Sequence, residues 1–232
     1  IVDIRETAVP LKSSLRNAVF DFSEMTTSVV AVITDVLRDG KPVVGFAFNS
    51  TGRYACGAQM RDRFIPRILK MPPDSLLNAA GTNLDPEKIL AAMMQREKPG
   101  GHTERSVAIG TIEVACWDAV AKIAGKPLHR VLSEKYNGGK LIDKVPCYVG
   151  GGWYEPGKGI PQLLDEIREK LDQGYEVMKI KVGGASDLSA PLSPVWFGRL
   201  MSERPEFRQV KRHGMRGWKG ISLKIDHTPK NV

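Results

Sequence analysis

Val177-Met178-Lys179-Ile180-Lys181-Val182 decides the reading of this chain. Side chains alternate faces along an extended strand, so Lys179 and Lys181 share one face while Met178, Ile180 and Val182 share the other. Two ammonium groups side by side each raise the cost of the other's charge. Their protons are then held less tightly, and one lysine approaches the role of a base near neutral pH. The alternative is a half-buried strand that shows its lysines to solvent, and the six residues alone leave both readings open.

The flanks narrow the choice. Pro161 to Leu171 reads as an amphipathic helix with Leu164, Ile167 and Leu171 on one side, stopped by Gly174. Before it, Val145 to Val149 reads as a short apolar strand running into Gly150-Gly151-Gly152. Strand, loop, helix and strand in that order make a βαβ unit. Parallel strands of this kind are usually covered on both faces. In a closed barrel the lysine face would point into a polar interior, which favours the functional reading.

The N-terminal part has a different texture. Thr27 to Leu37 and Val43 to Phe48 are rich in β-branched and apolar residues, and Arg38-Asp39-Gly40-Lys41 between them signals a hairpin turn. Ile1 to Glu6 supplies a third antiparallel strand. Met60 to Leu69, Asp85 to Glu97 and Arg105 to Ala124 read as helices, the last apolar nearly all round and closed by Gly125 and Pro127, hence buried.

Composition sets the outer bounds. The 232 residues are 42% hydrophobic, enough for a sizeable core. No run approaches the roughly 18 apolar residues of a membrane span, and no signal-peptide pattern opens the sequence, so the expectation is a cytoplasmic protein without a membrane partner. Cys56, Cys116 and Cys147, odd in number and flanked by apolar residues, read as reduced, partly buried thiols.

The net charge is +8, but from Asp187 to Val232 there are 9 Lys or Arg against 4 Asp or Glu, so the excess lies mainly in the tail. That tail holds Pro191, Pro194, Pro205 and Pro229 and no sustained period, with only a short helix at Val195 to Met201 and a short strand at Ile221 to Ile225 to suggest themselves. The change of texture near Ser186 is the sharpest boundary in the chain.

Several motifs resemble one family, the enolase superfamily in its mandelate racemase and muconate lactonizing enzyme branch. Ser106 to Asp118, with Trp117-Asp118 and the following Gly125-Lys126-Pro127-Leu128, resembles the Trp-Asp helix that ends the family's capping domain. Lys179-Ile180-Lys181 resembles the Lys-x-Lys motif of the second barrel strand. Arg16-Asn17, Asp21 to Thr26, Phe48 to Tyr54 and Lys98-Pro99-Gly100-Gly101-His102 resemble the D-tartrate dehydratase subgroup.

This resemblance covers about residues 1 to 186 and implies an α+β capping domain, an antiparallel sheet plus helical bundle, over residues 1–128. It then implies the start of a (β/α) barrel over 129–186, an incomplete α/β stub, followed by a divergent basic tail over 187–232. It further implies a carbon-oxygen lyase acting on a small acid-sugar carboxylate, with Mg²⁺ stabilising the enediolate formed by proton abstraction α to the carboxylate; the enolase superfamily is a standard instance of that arrangement.

By position in the motif, Lys181 is the abstracting base, while Lys179 lowers its pKa and touches the substrate carboxylate. For tartrate the product is oxaloacetate. Asn17, Lys98, Arg53 and Tyr154 are the candidate substrate contacts, each with a plain alternative: a turn Asn, solvated cations, a packing Tyr. The resemblance also implies that copies associate through the capping domain.

No metal ligand can be assigned. The family holds its ion with acids on later barrel strands, and the stretch from Val145 onward is far shorter than the about 250 residues of an eight-stranded barrel. The expectation is a barrel interrupted near Ser186 by a frameshift, a truncation or a faulty gene model, and a chain inactive by itself.

Two rival readings remain. Gly152 to Gly159 fits the phosphate-loop pattern until its last position, where Gly159 supplies no hydroxyl and Pro156 removes one N–H, so nucleotide binding is disfavoured. A nucleic-acid partner for the basic tail, with Trp196, Phe197 and Trp218 for stacking, is disfavoured because no helix-turn-helix or metal-finger spacing accompanies it.

Overall fold

The computed structural model describes residues 1–16, 20–49, 56–98, 103–142, 144–153, 155, 157–175 and 177–180, with the backbone of 208–212 and 215–219. The chain divides into two compact units. One comprises Ile1–Ser14 and Asp21–Pro146, the other Leu15–Phe20 and Cys147–Val232.

The first unit opens with an antiparallel sheet in the order β1-β2-β3, formed by β1 (Asp3–Pro10), β2 (Thr26–Arg38) and β3 (Lys41–Phe48). Arg38 pairs with Lys41, and Asp39 and Gly40 between them take φ of 52° and 72°. Two positive φ values are the signature of a type I′ turn, whose twist suits the flanking strands, and Asp-Gly is a favoured pair for it. β1 runs farther than Glu6, because all eight of its residues pair with β2, from Asp3 opposite Ile33 to Pro10 opposite Thr26.

One face of the sheet is dry. Ser28, Val30, Val32 and Thr34 of β2 alternate inward with Ile4 of β1 and Val43 and Ala47 of β3. The β2–β3 register slips between Ile33 and Leu37. Thr34 sits in that gap and donates its hydroxyl to the Val43 carbonyl at 2.8 Å, so a buried polar group is satisfied where the ladder is interrupted.

Helical structure begins at Cys56, earlier than Met60. α1 (Cys56–Gln59) runs through one π-helical turn, Met60–Phe64, into α2 (Ile65–Leu69). Met60, Phe64 and Ile68, one helical turn apart, are fully buried and contribute about 1.5–3 kcal/mol each. α3 (Pro86–Met94) starts where Asp85 accepts the Glu87 N–H at 3.1 Å, and it stops three residues short of Glu97.

α4 (Thr103–Ala124) is the central element, and α5 (Leu128–Tyr136) follows it. α4 ends in a Schellman motif: Lys126 donates to Ala121, Gly125 donates to Lys122, and Gly125 takes φ of 65°. Ala108, Ile109, Ile112, Ala115, Cys116, Ala119 and Val120 are buried along it. Gly45 of β3 lets the backbones meet: a Cβ there would lie 2.1 Å from the Ala115 carbonyl oxygen.

Helix α4 also protects β3. Asp118 accepts the Phe46 N–H at 2.7 Å, and Lys122 donates to the Val44 carbonyl at 3.0 Å while pairing with Asp118 at 2.6 Å. The Trp-Asp signature thus has a structural use, since its acid satisfies the outer backbone of an edge strand.

In the second unit β4 (Val149–Gly151) and β5 (Met178–Ile180) pair in parallel, joined through α6 (Ile160–Asp172), which is the expected βαβ order, but the first strand lies at Val149–Gly151 rather than Val145 to Val149: residues 145–148 are exposed and outside the ladder. The inner stripe of α6 is Leu163, Glu166, Ile167, Lys170 and Leu171, all half-buried, whereas Leu164 is 38% exposed. Leu163 therefore replaces Leu164 in the expected stripe, since the i, i+4, i+8 row through Ile167 and Leu171 begins there.

Farther on, β6 (Arg208–Arg212) and β7 (Met215–Lys219) form an antiparallel hairpin that the tail's sequence did not suggest. The expected elements at Val195 to Met201 and Ile221 to Ile225 lie outside the described residues.

Candidate active site

Lys179 is the described half of the lysine pair. It lies at the middle of β5 opposite Gly150 of β4, exposed, while Met178 and Ile180 on either side are half-buried, as the alternation requires. Its ammonium stands 5.8 Å from the centre of the Tyr148 ring. Tyr148 and Gly150 are two residues apart, so both belong to the lysine face, and Gly150 has nothing within 4 Å of where a Cβ would be. An exposed ammonium over an aromatic face gains about 0.5–1 kcal/mol. The sequence held a signal for Tyr148: period-two alternation through Val149 puts it on the Lys179 side.

Lys181, Asn17, Arg53 and Tyr154 lie outside the described residues. Lys98 belongs to the first unit and is exposed; its carbonyl accepts from Arg105 at 3.2 Å. Beside it is a cluster with no counterpart among the sequence expectations. The Glu97 carboxylate, 1% exposed, receives Arg63 at 2.8 Å, Arg67 at 2.8 Å and Arg105 at 3.0 Å. Burial by itself would raise the Glu97 carboxyl; hydrogen bonds from Arg67 and Arg63 and the charge of Arg63 outweigh it and hold it below the ordinary carboxylate range. Arg96, with φ of 61°, makes the tight turn from α3 into this cluster. The arrangement fixes the backbone that enters the Lys98 loop.

A cavity of about 240 Å³ lies elsewhere in the first unit, against Trp117, Asn83, Asp85 and Lys135. Its charges answer one another: Lys126 pairs with Glu134 at 2.7 Å, and Lys135 with Glu87 at 3.3 Å. Tyr136 donates to Glu87 at 2.6 Å, which lowers the Glu87 carboxyl and pushes the phenol up to about 12.

Among the described residues no group of three or more His, Cys, Asp or Glu side chains is placed to hold a metal ion. These residues do not fit the Mg²⁺ that the resemblance implies. No helix among the described residues is long and apolar enough to cross a membrane.

The phosphate-loop motif is occupied from within. Glu166 of α6 takes the Gly152 N–H at 3.2 Å and the Lys158 ammonium at 2.9 Å, so the amide and the lysine of the motif both meet a carboxylate of the chain itself.

No family model matches the sequence. Segments of it are similar to several sugar-acid dehydratases. A D-galactonate dehydratase family member from Paenibacillus sp. is 36% identical over 77 residues, 33% of this chain and 17% of that protein. The arabinonate dehydratase of Saccharolobus solfataricus is 33% identical over 78 residues, 34% of this chain and 19% of that protein. The D-gluconate dehydratase of Thermoproteus tenax is 31% identical over 106 residues, 44% of this chain and 20% of that protein. The matched stretches thus span about a fifth of these relatives.

In structure, the chain is similar to a mandelate racemase/muconate lactonizing enzyme-like protein from Rubrobacter xylanophilus, with a TM-score of 0.54 and 18% identity, covering 80% of this chain and 45% of that one. The sheet-plus-helices unit fits a capping domain of that fold. Sequence and structure together support the enolase superfamily, in its mandelate racemase and muconate lactonizing enzyme branch, as the group this chain resembles.

Proposed function

We propose that this chain carries the capping region and the first strand-helix-strand of a sugar-acid dehydratase. In this reading a carbon-oxygen lyase removes the proton α to a carboxylate, and the β-hydroxyl leaves to give a 2-keto acid. The observation that carries it is Lys179 on the exposed face of a parallel strand, within the Lys-x-Lys motif and opposite Gly150. As the resemblance implies by position in the motif, Lys181 is the base and Lys179 contacts the substrate carboxylate. Lys98, Asn17, Arg53 and Tyr154 are the proposed substrate contacts. The domain limits 1–128, 129–186 and 187–232, a barrel beginning at β4, a cytoplasmic location and association of copies through the capping region belong to the same reading.

The relatives' names favour galactonate, arabinonate or gluconate, while the capping-region motifs favour D-tartrate, with oxaloacetate as product. Mg²⁺ enters only as what the resemblance implies. The change of texture near Ser186 is what supports an interruption of the barrel there.

Formation of 2-keto acid from these four sugar acids with Mg²⁺ tests the proposal. The 232-residue chain is expected to give none. A chain continued after codon 186 in whichever frame encodes acidic strand ends is expected to turn over one of them, and to lose that turnover in Lys181→Ala. Turnover by the shorter chain overturns the interruption. An extended chain without turnover, or neither alternative frame encoding such strands, counts against the dehydratase and frameshift readings respectively.

A further inference from the structure

We infer that the Gly152 amide and the Lys158 ammonium form an oxyanion-binding cradle, filled in this chain by the carboxylate of its own Glu166. The inference stands apart from the dehydratase reading, because it rests on one loop and one helix of the second unit.

Glu166 lies on the inner stripe of α6, among Leu163, Ile167 and Leu171, where an apolar residue would be the ordinary choice. A carboxylate on such a face is costly unless donors meet it. Three donor contacts do: the Gly152 N–H reaches Oε2 at 3.2 Å and Oε1 at 3.4 Å, and the Lys158 ammonium reaches Oε2 at 2.9 Å. Lys158 also faces Glu155 at 3.8 Å, and its side chain is only 17% exposed.

The glycines have a steric purpose here. A Cβ on Gly151 would lie 2.7 Å from Glu166 Oε1, so a side chain there would push the carboxylate tip aside, and Gly152 takes φ of 69°, where a side chain would be strained. Amide N–H and lysine converging on one oxygen pair is the donor set that phosphate loops present to their ligand. The Gly159 and Pro156 departures remove what a nucleotide's Mg²⁺ and longer phosphate chain require, but leave the donors for a single carboxylate or phosphate group. An external oxyanion therefore competes with Glu166 for Gly152 and Lys158.

The test follows the Gly152 amide resonance of the full 232-residue chain on titration with inorganic phosphate and, separately, with acetate. Glu166→Ala is expected to bind at least one of them about tenfold more tightly than the unaltered chain, and Lys158→Ala in that background to abolish the gain. Response to phosphate alone marks a cradle for phosphate groups, and response to both marks one that also takes carboxylates; either supports the inference. A folded Glu166→Ala chain with unchanged affinity for both anions, or a gain that survives Lys158→Ala, overturns it. Should Glu166→Ala fail to fold by circular dichroism, Glu166→Gln is read the same way, with about a threefold gain expected.

Discussion

Replacing Gly45 by alanine tests the contact on which the first unit depends. The added Cβ would stand 2.1 Å from the Ala115 carbonyl oxygen, 2.6 Å from the Ala119 nitrogen and 2.8 Å from its Cβ. Ordinary contact begins near 3.4 Å, so α4 must retreat from β3 by more than an ångström at the closest point. No rotamer change relieves a clash between two backbones. The retreat loosens Ile112, Ala115, Cys116 and Ala119, all fully buried. Overpacking ordinarily costs about 1–3 kcal/mol, and the rigidity of both partners puts this case at about 3 kcal/mol. At about 2–4 °C per kcal/mol for a chain of this size, the melting temperature falls by about 6–12 °C. Gly110→Ala in the same helix is the control: nothing lies within 4 Å of its would-be Cβ, so better helix propensity should stabilise by about 0.5–1 kcal/mol. Thermal unfolding followed by circular dichroism reads both. If Gly45→Ala melts within about 0.5 kcal/mol of the unaltered chain, the ordinary range for innocuous surface changes, the backbone contact between α4 and β3 is wrong.

Two further outcomes follow from buried groups. The Glu97 carboxyl is held below its unfolded value of about 4.3, so the stability it supplies is complete above that pH and is lost as pH falls through the folded value. Glu97→Gln should flatten this acid limb in pH-dependent unfolding and cost about 2 kcal/mol at neutral pH, less than most broken buried pairs because Arg63 is half-exposed; an unchanged acid limb would show that the three arginines do not act on Glu97. Burial, with the Glu113 charge second, pushes the Cys116 thiol up to about 12, and Cys56 is buried too, whereas Cys147 is exposed. Maleimide should therefore label Cys147 in the native chain at least about a hundredfold faster than Cys116, and comparable rates would refute the buried placement of α4.

What was legible in the sequence was local. Asp39-Gly40 announced its turn because few residue pairs tolerate two positive φ values, and α4 announced its burial because its apolar residues go round the helix. The β6–β7 hairpin is not legible because Arg-Gln-Val-Lys-Arg and Met-Arg-Gly-Trp-Lys show no alternation of apolar and polar residues, and backbone pairing leaves no other trace. In α6, Leu163 and Leu164 both fit a helical period, and only packing chooses Leu163 for the inner stripe. Charge networks were illegible for a different reason. Glu6 joins Arg61 and Glu97 gathers Arg63, Arg67 and Arg105 across separations that no period records.

The same distinction explains the two motifs of the second unit. Lys-x-Lys was readable because its meaning lies in alternation along one strand, and the structure places Lys179 on the exposed face that alternation requires. The glycine-lysine loop was only half readable. Its donors are a local pattern, but their occupant is Glu166, fourteen residues beyond Gly152 and on a helix whose inner stripe had to be known first. A sequence motif of donors therefore specifies an anion site without specifying whose anion fills it.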